Sequence, residues 1–294
     1  MWTSPSGPWG DGPDAGSPSS GGSNVGSIER RRGVALRVRL LGRIEIELAD
    51  GAQVRLTGRH AQALFALLVL CRRPRSRDVL AAELWPEANG PSSAALRQAL
   101  WLVRNAFTQA GVGSAAILEV EPETIALRPE VRIDLDTDLF EACVRSDDCR
   151  TETAIELYRG DLAEGLGHEC FASERERLSD MYEDALAEVS QRRLADGRLV
   201  GARAAAEQLL ARDMLREEAH AVIIAVHGLV GSRSQVVRQY RRLHAVLDRE
   251  LGVEPLPETE ATYRLALDRT LQRSTERASV IVAPAHPTLI AVNA

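Results

Sequence analysis

Lysine is missing from this chain, and each of its 36 cationic side chains is an arginine. That uniformity fits the codon bias of a GC-rich genome and carries little mechanistic weight. Cysteine is sparse as well. Cys71, Cys143, Cys149 and Cys170 form no CxxC pair and have no histidines at ligand spacing, which argues against a metal site or a disulfide framework. They read as buried thiols in a reducing compartment. An aromatic content of 4% argues against a large β-sandwich or an aromatic cage. No apolar run approaches membrane-spanning length, and the opening MWTSPSGPWGDGPDAGSPSSGGSN lacks the positive start and apolar core of a signal peptide. Enzyme signatures are missing too. No serine sits in an elbow motif, no glycine-rich loop precedes a helix, and the six histidines are scattered. The expectation is a cytoplasmic protein that is not an enzyme, takes no cofactor or metal, and has no membrane partner.

What is present is enough for two compact domains: 294 residues, 45% of them apolar. The net charge of −6 conceals a gradient. Residues 30–110 hold 14 arginines against 6 acids, a balance of +8, whereas residues 111–294 stand at −11. A basic segment beside an acidic one is the asymmetry expected when one part meets nucleic acid and the other meets protein.

Residues 1–33 are rich in glycine, serine and proline and read as a disordered arm ending in Arg30, Arg31 and Arg32. From Val34 short alternating segments follow: Leu36–Gly42, Ile44–Leu48 and, past the turn signal Asp50-Gly51, Gln53–Leu56. These predict three antiparallel strands. Arg59–Cys71 is the first helix, stopped by Pro74, and Arg77–Trp85 the second, with Ser76 as its cap. Ile117–Glu121 and Thr124–Arg128 predict a hairpin. Between them lies Pro91–Ala110, which the rest of the chain is organised around.

In that third helix Leu96, Leu100, Val103 and Phe107 recur at three- and four-residue spacing and predict one buried stripe. Ala94, Gln98, Trp101, Leu102 and Asn105 point the other way, flanked by Arg97 and Arg104. Strands, three helices and a hairpin make a winged helix-turn-helix over residues 34–130. Its third helix is the element that reads DNA in such folds.

Residues 134–273 are expected to be almost wholly helical. The candidate helices are Asp138–Arg145, Thr151–Arg159, Ala172–Asp196, Leu199–Asp213, Glu217–Val230, Ser232–Glu250 and Thr259–Arg273. Gly197 and Gly231 both end helices and lie 34 residues apart. They bring Ala202 into line with Val236, Ala206 with Tyr240 and Leu209 with Leu243, the period of tetratricopeptide repeats. Residues 274–294 read as a C-terminal tail. The fold class is therefore mainly α: an α+β winged helix followed by an all-α, tetratricopeptide-like repeat domain.

Several blocks resemble a known family. LYRGDLAEGL (Leu157–Leu166), ERERL (Glu174–Leu178), LREEAH (Leu215–His220), QYRRL (Gln239–Leu243) and ELGVEPLPET (Glu250–Thr259) are similar to the bacterial transcriptional activator domain (BTAD) of the SARP regulators. The segment from Leu36 to about Arg128, and the DLDTDLF junction after it, resemble that family's response-regulator-type winged helix. The resemblance implies an activator that binds double-stranded promoter DNA, helps to recruit RNA polymerase and acts as a homodimer on DNA. Where the family carries a basic wing tip, this chain has Glu121-Pro122-Glu123, which repels phosphates.

The side chains expected to meet DNA follow from their chemistry. Arg97 and Arg104 suit guanine or phosphate, Gln98 and Asn105 a base edge, and Trp101 a thymine methyl. Ser93 stands at the helix start, and Arg59, Arg75 and Arg77 lie around the first two helices where backbone phosphates would pass. The alternative is a protein-interaction adaptor that uses Trp101 and Leu102 as a contact. An enzyme is the third and least supported reading.

Overall fold

The computed structural model describes residues 34–87, 93–146 and 151–281, the stretch from 273 by its backbone alone. The arm 1–33 with its arginine triplet, Pro91 and Ser92, Cys149, and the residues after Ile281 lie outside the described residues. The first part runs β1 (Ala35–Arg39), β2 (Glu45–Leu48), α1 (Arg59–Cys71), β3 (Arg75–Ser76), α2 (Arg77–Leu84), α3 (Ser93–Gln109), β4 (Leu118–Val120), β5 (Thr124–Leu127) and β6 (Arg132–Leu135). The helices that follow are α4 (Asp136–Val144), α5 (Thr151–Leu157), α6 (Ala172–Ala195), α7 (Leu199–Arg212), α8 (Glu217–Val230), α9 (Arg233–Glu250) and α10 (Pro257–Ile281).

The alternation read from Leu36 to Leu48 becomes a two-faced ribbon. β1 and β2 pair antiparallel, Leu36 opposite Leu48 and Val38 opposite Ile46, all four buried. On the outer face Arg37 meets Glu47 and Arg39 meets Glu45. The expected third strand, Gln53–Leu56, forms only a bridge from Gln53 to Glu47. It stays extended and buries Val54 and Leu56, and the amide of Val54 reaches the carbonyl of Ile46 (2.8 Å). The other edge of β1 is taken instead by β6, in parallel. DLDTDLF is thereby divided between the end of that strand and the first turn of α4.

Helix α1 is the centre of the first part. From Ala61 to Val69 every residue but Gln62 is buried, as in a helix packed on all sides. Phe65 meets Phe107 of α3 with ring centroids 5.5 Å apart. Ser76 caps α2, its Oγ accepting from the amide of Asp78 (3.3 Å), as its position in the sequence predicts. β3 adds a short third strand beside the β4–β5 hairpin, the wing.

One hydrophobic core runs from Leu36 through Phe140, Tyr158, Leu162 and Phe171 to Leu178, so the winged helix and α4 to α6 share it. A polar joint sits beside it. Ala163 donates to the carbonyl of Leu40 (2.7 Å), Glu164 to that of Gly42 (2.9 Å), and Gly42 to that of Asp161 (3.1 Å). The chains approach so closely that a β-carbon on Gly160 would stand 3.2 Å from the Gly42 α-carbon. Arg175 holds the same loop through the carbonyls of Leu162 and Leu166.

The repeats follow as stacked hairpins, α6 on α7, α7 on α8, α8 on α9, with α10 against both α8 and α9. Gly197 and Gly231 take left-handed backbone at the two turns (φ 74° and 83°), where a side chain would be strained. Ala202, Val236, Leu209 and Leu243 are fully buried at equivalent places. Tyr240, half-buried, stacks on Tyr263 with centroids 4.0 Å apart. α10 runs past its expected end at Arg273 to Ile281.

Candidate nucleic-acid interface

Amphipathic spacing sets the orientation of α3. Leu96, Ala99, Leu100, Val103, Ala106 and Phe107 are buried against the core. The opposite face carries Ser93, Arg97, Gln98, Trp101, Arg104 and Thr108, all exposed, with Trp101 at 56%. Arg97, Gln98, Trp101 and Arg104 form one stripe over two turns, about 10 Å long at 1.5 Å per residue. Among the described residues neither Arg97 nor Arg104 has a carboxylate partner. Asn105 is half-buried at the stripe's edge.

Leu102 departs from the expectation. It is half-buried and packs on the core, its Cδ1 3.4 Å from where a β-carbon on Gly58 would stand. On the helical wheel Leu102 lies with the outward residues, but its side chain reaches back over the start of α1. Among the described residues Trp101 is thus the large exposed apolar side chain on α3.

The surrounding arginines are mostly engaged inside the protein. Arg59 donates to the carbonyl of Gly165 (3.0 Å), and Arg72 pairs with Asp138. Arg75 is half-buried between Glu83 (2.5 Å) and the Cys71 sulfur (2.9 Å); burial opposes its charge, but both partners sustain it. Arg77 grips the wing, its Nε on the carbonyl of Glu121 (3.1 Å) and its amide on that of Glu123 (2.9 Å). The wing tip is therefore clamped to the start of α2, with the carboxylates of Glu121 and Glu123 exposed beside it. Arg73 stays exposed on the α1–α2 connection.

At the other end of α2, His60 stacks on Trp85 (centroids 4.8 Å) and meets His168 edge-on (5.1 Å). Burial, then the charges of His60 and Arg59, hold His168 below the usual histidine range. Of the cysteines expected to be buried, Cys143 is, while Cys71 and Cys170 are half-buried, and burial pushes the Cys170 thiol up to about 11. Among the described residues no group of three or more His, Cys, Asp or Glu is arranged to hold a metal, and no helix is long and apolar enough to cross a membrane.

Three likenesses bear on these elements. Residues 136–267 match the model of the bacterial transcriptional activator domain. Over 268 residues the chain is 26% identical to the transcriptional regulatory protein MoaR1 of Mycobacterium tuberculosis, covering 85% of both proteins. Among solved structures, Mycobacterium tuberculosis EmbR, determined in complex with a low affinity phosphopeptide, is alike in fold. Its TM-score is 0.62 at 23% identity, over 85% of this chain and 71% of that one.

Proposed function

For a chain that is a SARP-type transcriptional regulator, a winged helix joined to a bacterial transcriptional activator domain, we propose direct binding of promoter DNA through α3 and activation of transcription from there. The observation that carries this reading is the stripe Arg97–Gln98–Trp101–Arg104, exposed on the third helix and free of carboxylate partners among the described residues. Two guanidiniums at its ends suit guanine or phosphate. Gln98 between them suits adenine, and Trp101 offers an apolar face to a thymine methyl. Ser93 and Asn105 flank the stripe at the helix start and edge. Arg59, Arg75 and Arg77 serve it indirectly in this reading, by fixing α1, the α1–α2 connection and the wing around it.

The helical repeats, joined to the winged helix through α6, supply the surface for RNA polymerase or for a second copy of the chain on DNA. A second reading, a protein adaptor docking through Trp101, draws support from the acidic wing tip. Titration of duplex promoter DNA at increasing salt separates the two. The activator loses affinity steeply as counterions compete, and more so than its Arg97→Ala, Arg104→Ala variant; an apolar contact through Trp101 is nearly indifferent to salt. Binding that is absent at low salt, or equal in wild type and variant, overturns the DNA reading.

A further inference from the structure

The acid-rich helical part satisfies most of its arginines. Arg177, Arg192, Arg193, Arg198, Arg212, Arg216 and Arg264 all meet carboxylates. Helix α9 breaks the pattern. Between Ser232 and Leu247 it has four arginines and no acid. Arg233, Arg238, Arg241 and Arg242 are all exposed, and none has a carboxylate partner among the described residues.

These four guanidiniums border two adjoining depressions that share Arg238. The first lies along α9 between Arg233 and Arg241, with Val237 in its wall. The second, about 510 Å³, runs between α7 and α9 and is lined by Arg203, Glu207, Gln235, Arg238, Gln239 and Arg242, with the buried Leu210 and Ile223 beneath it. Among the described residues Arg203 pairs with Glu207 alone, at 3.5 Å across an exposed turn, the kind of surface pair that contributes little and yields to a better partner. From Arg233 to Arg241 the row follows one side of α9 for about 12 Å at helical rise, longer than one anionic group and suited to an extended segment, and Arg242 continues it round the helix toward α7.

We propose that this face of α9, with the groove against α7, is a docking site for an acidic peptide segment of a partner protein. Carboxylates of the segment pair with Arg233, Arg238, Arg241 and Arg242, and an apolar side chain between them settles against Val237. Charge complementarity names the partner's sign, and the apolar lining names its class. A DNA backbone would meet arginines with equal ease but has nothing to place against Val237, and the carboxylate of Glu207 at the edge of the second depression opposes it. The site is remote in sequence from α3, so its failure and that of the DNA reading are distinguishable.

The test is fluorescence anisotropy with the full chain and a short labelled peptide of glutamates and leucines. A glutamine–leucine counterpart and a duplex of random sequence serve as competitors. The glutamate peptide is expected to bind, to weaken with salt, and to weaken about tenfold or more in Arg238→Gln, Arg242→Gln as two charge-assisted contacts are lost. It should be unaffected by Arg249→Gln or by Arg97→Ala, Arg104→Ala. All these side chains are exposed, so thermal melts should coincide. No binding of the glutamate peptide, equal binding by the α9 variant, equal binding of the glutamine peptide, or displacement by the duplex in the α3 variant overturns the proposal.

Discussion

The carboxylate of Asp136 accepts the amide of Leu40 through both oxygens, at 2.8 and 3.0 Å, and the amide of Leu41 at 2.9 Å. The end of β1 is thereby tied to the first turn of α4. Together with the Leu40–Ala163 and Gly42–Asp161 bonds this makes a joint across which the winged helix and α4 cannot hinge without breaking several half-buried bonds.

Asp136→Ala leaves two donors unmade in a half-buried site and should destabilise the fold by about 1–3 kcal/mol for each. Asp136→Asn keeps one acceptor and should cost less. Because the winged helix and α4 to α6 share one core, probes placed in the winged helix and in α4 should report one transition on chemical denaturation. Two separated transitions in the wild type would contradict the joint.

The same carboxyl carries a pH signature. Burial raises it above its ordinary value of 3.8, against the amides of Leu40, Leu41 and Thr137, which lower it. A carboxyl raised in the folded state binds its proton more tightly there than in the unfolded chain, so stability falls as pH climbs from 3.8 through the raised value. The stability advantage of wild type over Asp136→Asn should therefore shrink as pH rises through that window. Denaturation at a series of pH values measures it, and an advantage that grows with pH contradicts the assignment.

Gly228 marks where α8 and α10 touch, since a β-carbon there would lie 2.7 Å from that of Ala266. Gly228→Ala should cost about 1–3 kcal/mol by overpacking, measured as a lowered melting temperature, with the far α3 face undisturbed. An unchanged melting temperature would show the two helices are not held this tightly.

On α3, Gln98→Ala should leave stability unchanged and lower discrimination at one base pair by about 1–3 kcal/mol. Selection from randomised duplexes reads this out as one position losing its preference. A uniform loss across all positions would make Gln98 a phosphate contact instead.

The wing makes an opposite forecast. Glu121→Gln, Glu123→Gln removes two exposed like charges beside the expected phosphate path and should raise duplex affinity severalfold at low salt, the gain fading as salt is added. No gain would place the wing away from the DNA.

Periodicity made most of this legible. The stripe Leu96–Leu100–Val103–Phe107 fixed which side of α3 faces out, and Gly197 and Gly231 gave the repeat through their left-handed turns. β6 was hidden because a short parallel strand is recognised by the edge it joins, and that edge lies almost a hundred residues earlier. Leu102 was misplaced by a wheel that ignores how far a leucine reaches back toward its neighbour. The partners of Arg59, Arg75 and Arg77 are carbonyls and a sulfur as well as a carboxylate, and residue type alone does not reveal such contacts. The blocks LYRGDLAEGL and QYRRL acquire a physical sense only in three dimensions. Tyr158 stacks on Tyr182 (4.1 Å) and donates to Asp161 (2.9 Å), and the side chains of Gln239 and His220 are hydrogen-bonded at 2.9 Å. Arg233, Arg238, Arg241 and Arg242, without carboxylate partners among the described residues, had a sequence signal, a run without acids in an acidic domain, that outlines a surface only once α7 lies beside it.

The central claim, that α3 reads promoter DNA, is tested most directly by genome-wide footprinting of the tagged protein beside its Arg97→Ala, Arg104→Ala variant. Discrete promoter-proximal peaks are expected for the wild type and should vanish in the variant at equal expression. No peaks for the wild type, or peaks that persist in the variant, would contradict it.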